Sequence, residues 1–260
     1  MSEGRLRVER DGPVGRLVLD NPKRRNAVSA SMWRAIPEAI ASFEQDPAIR
    51  CVVIRGQGTE AFAAGADISE FEQSRSNDAQ VREYESTITA AHVAIESTFK
   101  PVIALIYGFC IGGGLAIALS CDLRYADRAS RFAIPAARLG LAYGVHGMNR
   151  LVATVGHAWA REIMFSARRY TAEEALAMGL VNSVLPDTEL DAHVQKVALA
   201  LAANAPLTIA ASKTVINSLI ETRVDSTEAE AAVARCMNSE DYIEGRRAFM
   251  EKRTPKFRGR

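Results

Sequence analysis

Short apolar runs alternate with amphipathic stretches through the first half of the chain. Val14 to Leu19, Cys51-Val52-Val53-Ile54 and Val102 to Ile106 read as strands, each punctuated by Gly, Pro or Asn. Ser29 to Phe43 and Asp78 to Ser97 carry helical spacing. The second of these ends before Lys100-Pro101, because a residue preceding proline is pushed out of the helical region. Short strands are expected again at Asp122 to Tyr125 and Phe132 to Ile134. The alternation predicts an α/β fold.

Beyond Gly147 the pattern turns helical. Leu151 to Val155, Ala158 to Phe165, Ala172 to Ala177, Leu190 to Asn204, Pro206 to Ile220, Ser226 to Met237 and Glu240 to Lys252 all read as helices, and only Leu180 to Leu185 reads as extended. Thr171-Ala172-Glu173-Glu174 is a capping-box pattern, and Gly179 closes the helix it opens. Apolar stripes in this last part need a surface to pack on, either the α/β core or another subunit.

Two glycine-bearing segments stand against core strands. In Cys110-Ile111-Gly112-Gly113-Gly114-Leu115-Ala116, three glycines open an apolar helix, so unpaired backbone amides with partial positive charge face outward with no side chains to cover them. Tight helix–sheet packing would demand the same residues. The second segment is Ala61-Phe62-Ala63-Ala64-Gly65-Ala66-Asp67-Ile68. Two such turns can bring two N–H groups onto one oxygen, which is an oxyanion hole, worth about 10²- to 10³-fold in rate per donor.

Composition narrows the class. The chain has 260 residues, 48% hydrophobic and 24% charged, with a formal net charge of +1. That balance argues against a general nucleic-acid surface, although the tail from Glu251 to Arg260 is locally basic. Cys51, Cys110, Cys121 and Cys236 lack close paired spacing, so neither a metal site nor a disulfide framework is expected. The N-terminus has no apolar signal-peptide core and no run reaches spanning length uninterrupted, so a cytoplasmic protein without membrane contact is the expectation.

The segments Phe62 to Ile68, Pro101-Val102-Ile103-Ala104 through Gly112-Gly113-Gly114, Cys121-Asp122-Leu123-Arg124-Tyr125-Ala126, and Phe249-Met250-Glu251-Lys252-Arg253 together resemble the crotonase superfamily, the enoyl-CoA hydratase/isomerase family. The resemblance implies a spiral of ββα units over residues 1–200 that binds acyl-CoA, and a helical trimerisation region over residues 201–260. It implies a homotrimer or a dimer of trimers, with no cofactor beyond the CoA moiety of the substrate. The amides of Ala66 and Gly113 then bind the thioester oxygen, beside Gly112. Ala64, Asp67 and Ile68 border the adenine and pantetheine path, Lys23, Arg24 and Arg25 lie near the phosphates, and Phe249 and Lys252 reach the nucleotide end.

The chain departs from the hydratases of that family at their two glutamate positions, which here hold Ala116 and Ala136. Ala116 lies one turn beyond Gly113 and faces the same pocket. Neither alanine moves a proton, and general acid/base work contributes typically about 10²- to 10⁴-fold. A site that keeps an oxyanion hole without those carboxylates suits decarboxylation of a malonyl-type thioester, where carbon dioxide leaves its electron pair behind as an enolate. Tyr143 sits where the methylmalonyl-CoA decarboxylase branch has a similar tyrosine, able to hold the departing carboxylate. That branch carries a histidine where this chain has Ala66 and a proline where it has Ala142. His146 is the nearby candidate for returning a proton. Two alternatives stay open: an enoyl-CoA hydratase or isomerase with a non-standard base among Glu70, Glu72 and His146, and a non-catalytic acyl-CoA-binding protein.

Overall fold

A computed structural model describes residues 4–67, 78–138 and 143–220, and then 239–241, 243–244, 248, 251, 253, 255–256 and 258–260. The strands β1 (Arg5–Asp11) and β2 (Val14–Asp20) form an antiparallel hairpin. The sequence reading passed over β1, whose alternating charged residues suit an outer edge strand. Ser29 caps α1 (Ala30–Gln45) by accepting from the Met32 N–H, and Met32, Trp33, Ile36, Ile40 and Phe43 fill the core from one face of that helix.

A ββα unit then repeats. It runs first through β3 (Cys51–Gly56), β4 (Ala61–Ala63) and α2 (Asp78–Ser97), then β5 (Val102–Ile106), β6 (Phe109–Ile111) and α3 (Gly113–Ser120). The next is β7 (Leu123–Asp127), β8 (Arg131–Ala133) and α4 (Val145–Ser166). Each unit gives its first strand to a six-stranded sheet ordered β1-β2-β3-β5-β7-β10 and its second to a four-stranded sheet ordered β4-β6-β8-β9. Here β9 is Tyr170–Thr171 and β10 is Ser183–Leu185. This is the expected spiral of ββα units.

Because β4, β6 and β8 are parallel neighbours, the loops that leave them open on one side of the small sheet. Those loops carry Ala64 to Ala66, Gly112-Gly113 and Pro135-Ala136. Ligands of parallel sheets collect at such carboxyl ends.

Two details of the sequence reading change. The stretches expected as separate helices around Leu151 and Ala158 form one element, α4, that continues across a kink at Gly156, whose φ is +74°. The segment from Ala61 to Ala63, read as part of a turn, is a strand. The capping box at Thr171 and Glu174 forms as expected and opens α5 (Ala172–Ala177). Arg124, buried at the end of α3, donates to the carbonyls of Ala118, Cys121 and Leu180, a cation satisfying a helix C-terminus.

Helices α6 (Asp187–Ala203) and α7 (Pro206–Ile220) follow, and α7 is tied to the core by a buried lysine. Lys213 Nζ donates to the carbonyls of Ile95 and Lys100 and pairs with Asp122 at 2.9 Å. The expected helix from Ser226 to Met237 lies outside the described residues.

Candidate active site

The three loops enclose a cavity of about 300 Å³ with Trp33, His92, Ala116, Tyr143 and His146 on its walls. The two amides proposed to bind an oxygen lie side by side. Val28 pairs with Ala66 through a single parallel bridge, in which the Val28 N–H bonds Gly65 O and the Asp67 N–H bonds Val28 O. That pattern spends the flanking groups and turns the Ala66 N–H the other way, towards the cavity. Gly112 holds φ +52°, a conformation that side chains rarely adopt, and this bend presents Gly113 as the first residue of α3 with its N–H unused by the helix. A Cβ on Gly113 would stand 3.3 Å from Ala66 N and 3.2 Å from Trp33 Cζ2, so glycine keeps clear the space in front of both amides.

Of the residues singled out in the sequence, Ala64, Ala66, Gly112, Gly113, Ala116, Ala136, Tyr143 and His146 all line this cavity. Asp67 and the basic run do not. Arg24 pairs with Asp67, Nη1 lying 2.6 Å from the carboxylate, and Arg25 pairs with Glu60 at 2.8 Å while stacking over Phe109. Lys23 is exposed outside the cavity. Ile68, Phe249 and Lys252 lie outside the described residues, as do Glu70 and Glu72.

Ala116 and Ala136 themselves bring no titratable group to the cavity. The Tyr143 hydroxyl donates to Gly112 O at 3.3 Å, and burial pushes its pKa up to about 12, so the phenol remains a neutral donor through the physiological range.

The cavity also borders a polar cluster that sequence reasoning missed. On α2, Glu85, Thr89, His92 and Glu96 follow at spacings of four, three and four, which sets them on one face. The first three line the cavity. Glu96 is buried beneath them and gathers partners from two other helices. Arg150 Nη2 lies 2.8 Å and His146 Nε2 3.1 Å from its carboxylate, and Ser120 Oγ donates to it at 2.7 Å. Ser120 in turn meets His92 Nδ1 at 3.0 Å. The helical spacing on α2 was the available signal. Its partners Ser120, His146 and Arg150 come from distant parts of the chain, so no local pattern assembles them.

Burial lowers the pKa of His92 from 6.5 to about 4, helped by the nearby His146 and Arg150. A histidine held neutral by the fold binds its proton more readily when unfolded, so its contribution is complete above pH 6.5 and is lost as pH falls towards 4. The expected loss is roughly 3 kcal/mol. Urea unfolding at stepped pH checks it: a His92→Gln variant should show a flatter stability profile across that window than the wild type.

The model of the family described as enoyl-CoA hydratase/isomerase matches residues 9–260. The chain belongs to that family. Among curated relatives of this enoyl-CoA hydratase/isomerase family member, the short-chain-enoyl-CoA hydratase of Clostridium acetobutylicum is 34% identical over 95% of this chain and 94% of that protein. The carnitinyl-CoA dehydratase of Salmonella enteritidis is 35% identical over the whole of both chains. Among solved structures, an enoyl-CoA hydratase/carnithine racemase from Magnetospirillum magneticum superposes with a TM-score of 0.92 at 36% identity, covering 98% of this chain and 96% of that one. The acyl-CoA enzyme expected from the sequence is thus supported at the level of the family. The relatives' names point to hydratases and dehydratases rather than to decarboxylases.

Proposed function

We propose that this protein hydrates or isomerises an enoyl-CoA thioester, with His146 standing in for the glutamates that Ala116 and Ala136 replace. The observation that carries this reading is a histidine on the cavity wall with Nε2 3.1 Å from the buried Glu96 carboxylate. A carboxylate only accepts, so Nε2 carries a hydrogen and Nδ1 is the nitrogen left to exchange a proton with the substrate. In hydration, the oxygen of water bonds to Cβ and the double-bond electrons move towards the thioester oxygen. The resulting enolate rests on the Ala66 and Gly113 amides, a proton carried by His146 passes to Cα, and the proton that the water loses passes to solvent, from which His146 is reloaded. Isomerisation uses the same enolate and moves a proton between carbons. Neither route needs a cofactor beyond the CoA moiety.

The assay is turnover of crotonyl-CoA and a 3-enoyl-CoA by the wild type and by His146→Ala, beside carbon dioxide release from methylmalonyl-CoA. Enoyl turnover that falls about 10²- to 10⁴-fold in the variant is expected. Equal rates in the two proteins would remove His146 from the mechanism. Carbon dioxide release without enoyl turnover would favour the decarboxylase reading, which the neutral Tyr143 phenol beside the Ala116 and Ala136 wall supports. Binding of the thioesters without any product would favour a non-catalytic acyl-CoA-binding protein.

A homotrimer or a dimer of trimers is the assembly we propose. Phe165 stands exposed on α4, and Ile216 and Leu219 on α7, apolar side chains available for self-association.

A further inference from the structure

The hydrogen bonds around Glu96 fix more than His146. The Ser120 hydroxyl has one hydrogen and gives it to Glu96 Oε1. Its oxygen therefore accepts from His92, which places the His92 hydrogen on Nδ1 and the lone pair on Nε2. An imidazole in water prefers the opposite tautomer, so the Ser120–Glu96 chain selects the form. His92 lines the cavity, and with Nδ1 committed to Ser120, Nε2 is the nitrogen it can offer to a ligand there. The ring cannot turn freely to offer anything else. It packs against the Trp33 ring, with centroids 5.4 Å apart, and Trp33 itself backs the Gly113 amide.

We propose that His92 is the second proton-transfer group of this site, the base that takes the proton from the attacking water, with Ser120 as its positioning residue. The inference rests on the enoyl-CoA reading above and divides its two proton transfers between two histidines that share one carboxylate. As the water oxygen bonds to Cβ, its O–H bond breaks and the proton passes to His92 Nε2. The double-bond electrons enter the thioester as the enolate, and the His146 imidazolium gives its proton to Cα. One proton has then been gained at His92 and one lost at His146; solvent reloads the half-exposed His146, and His92 returns its proton through water entering the cavity as product leaves. Charge on His92 forms at the end of a chain that leads to Glu96, so the carboxylate that steadied the His146 imidazolium faces the second imidazolium as the first is discharged.

The arrangement differs from a pair of glutamates on the α3 and β8 loops. Both proton-transfer groups stand on α2 and α4, whereas Ala116 is on α3 and Ala136 follows β8.

Two measurements decide it. In full-length protein labelled with ¹⁵N at histidine, long-range proton–nitrogen correlations report the tautomer of His92. The Nδ1–H form is expected in the wild type and in His146→Ala, with loss of that preference in Ser120→Ala. Adding butyryl-CoA, a saturated thioester, should move the His92 Nε2 resonance. A wild-type His92 in the Nε2–H form, or an Nε2 resonance indifferent to butyryl-CoA, would overturn the proposal whether or not any enoyl-CoA is turned over.

Kinetics supply the second arm. His92→Asn keeps an amide N–H where Nδ1 donates to Ser120 but has nothing at Nε2, and should lower kcat on crotonyl-CoA about 10²-fold with little change in KM. Loss of activity in His92→Asn with none in His146→Ala would sink the assignment of His146 and leave His92 standing; the reverse pattern would sink His92 alone.

Discussion

Gly113→Ala is expected to lower kcat on the best enoyl-CoA substrate by about 10²- to 10³-fold, the cost of losing one oxyanion donor. The added methyl would sit 3.3 Å from Ala66 N, in the space a thioester oxygen needs in order to meet both amides. It would also touch Trp33 Cζ2 at 3.2 Å, so the indole has no room to retreat without disturbing a core side chain that is itself fully buried. The backbone at this position lies outside the positive-φ region, unlike Gly112, and the substitution therefore carries no conformational penalty of its own. The variant should lose about 1–3 kcal/mol of stability to this overpacking, and the larger effect should fall on kcat rather than on KM. Stopped-flow turnover beside calorimetric binding checks the split. Unchanged kcat would move the reacting carbonyl away from these two amides.

The glycine segments were legible because each glycine answers a local demand. Gly112 needs a left-handed bend, Gly113 an uncovered amide, and Gly114 a close approach to the Ala63 carbonyl, which a Cβ there would meet at 2.4 Å. The capping box at Thr171 was legible for the same reason, since it is satisfied within one turn. The small sheet was harder to read. Its strands β4, β6 and β8 are three residues each, too short for a period-two pattern, and they exist because distant segments pair. The kinked α4 was read as two helices because Gly156 interrupts the apolar pattern, whereas packing carries the chain through it.

Charge was the least legible property. Arg24 and Asp67, both expected beside the ligand on the strength of the resemblance, pair with each other, a contact that no local pattern announced. His92 and Glu96 were passed over because a polar residue on a long amphipathic helix ordinarily faces water. Here α2 turns that face inward, against α3 and α4, where Ser120, His146 and Arg150 complete it. The reading that focused on Ala116 and Ala136 identified correctly what those positions lack. It named His146 but neither His92 nor Glu96, because residues on different helices converge on one cavity only through the fold.

On the assignment proposed above, stability and chemistry both depend on Glu96. Glu96→Ala is expected to destabilise the protein by about 3–5 kcal/mol, because it strands the nearly buried Arg150 guanidinium without its counter-charge. The melting temperature should fall on the order of 10 °C. The same change removes the acceptor that orders Ser120 and, through it, His92, so activity should fall with stability. Those two effects separate in the double variant Glu96→Leu, Arg150→Met. Replacing both members of a buried ion pair by apolar side chains of similar size is often neutral, so the double variant should recover most of the lost melting temperature. Its kcat should stay low, since neither histidine regains the carboxylate that set its tautomer. Recovery of both together would reduce Glu96 to a packing residue, and a single variant as stable as the wild type would show that water reaches Arg150.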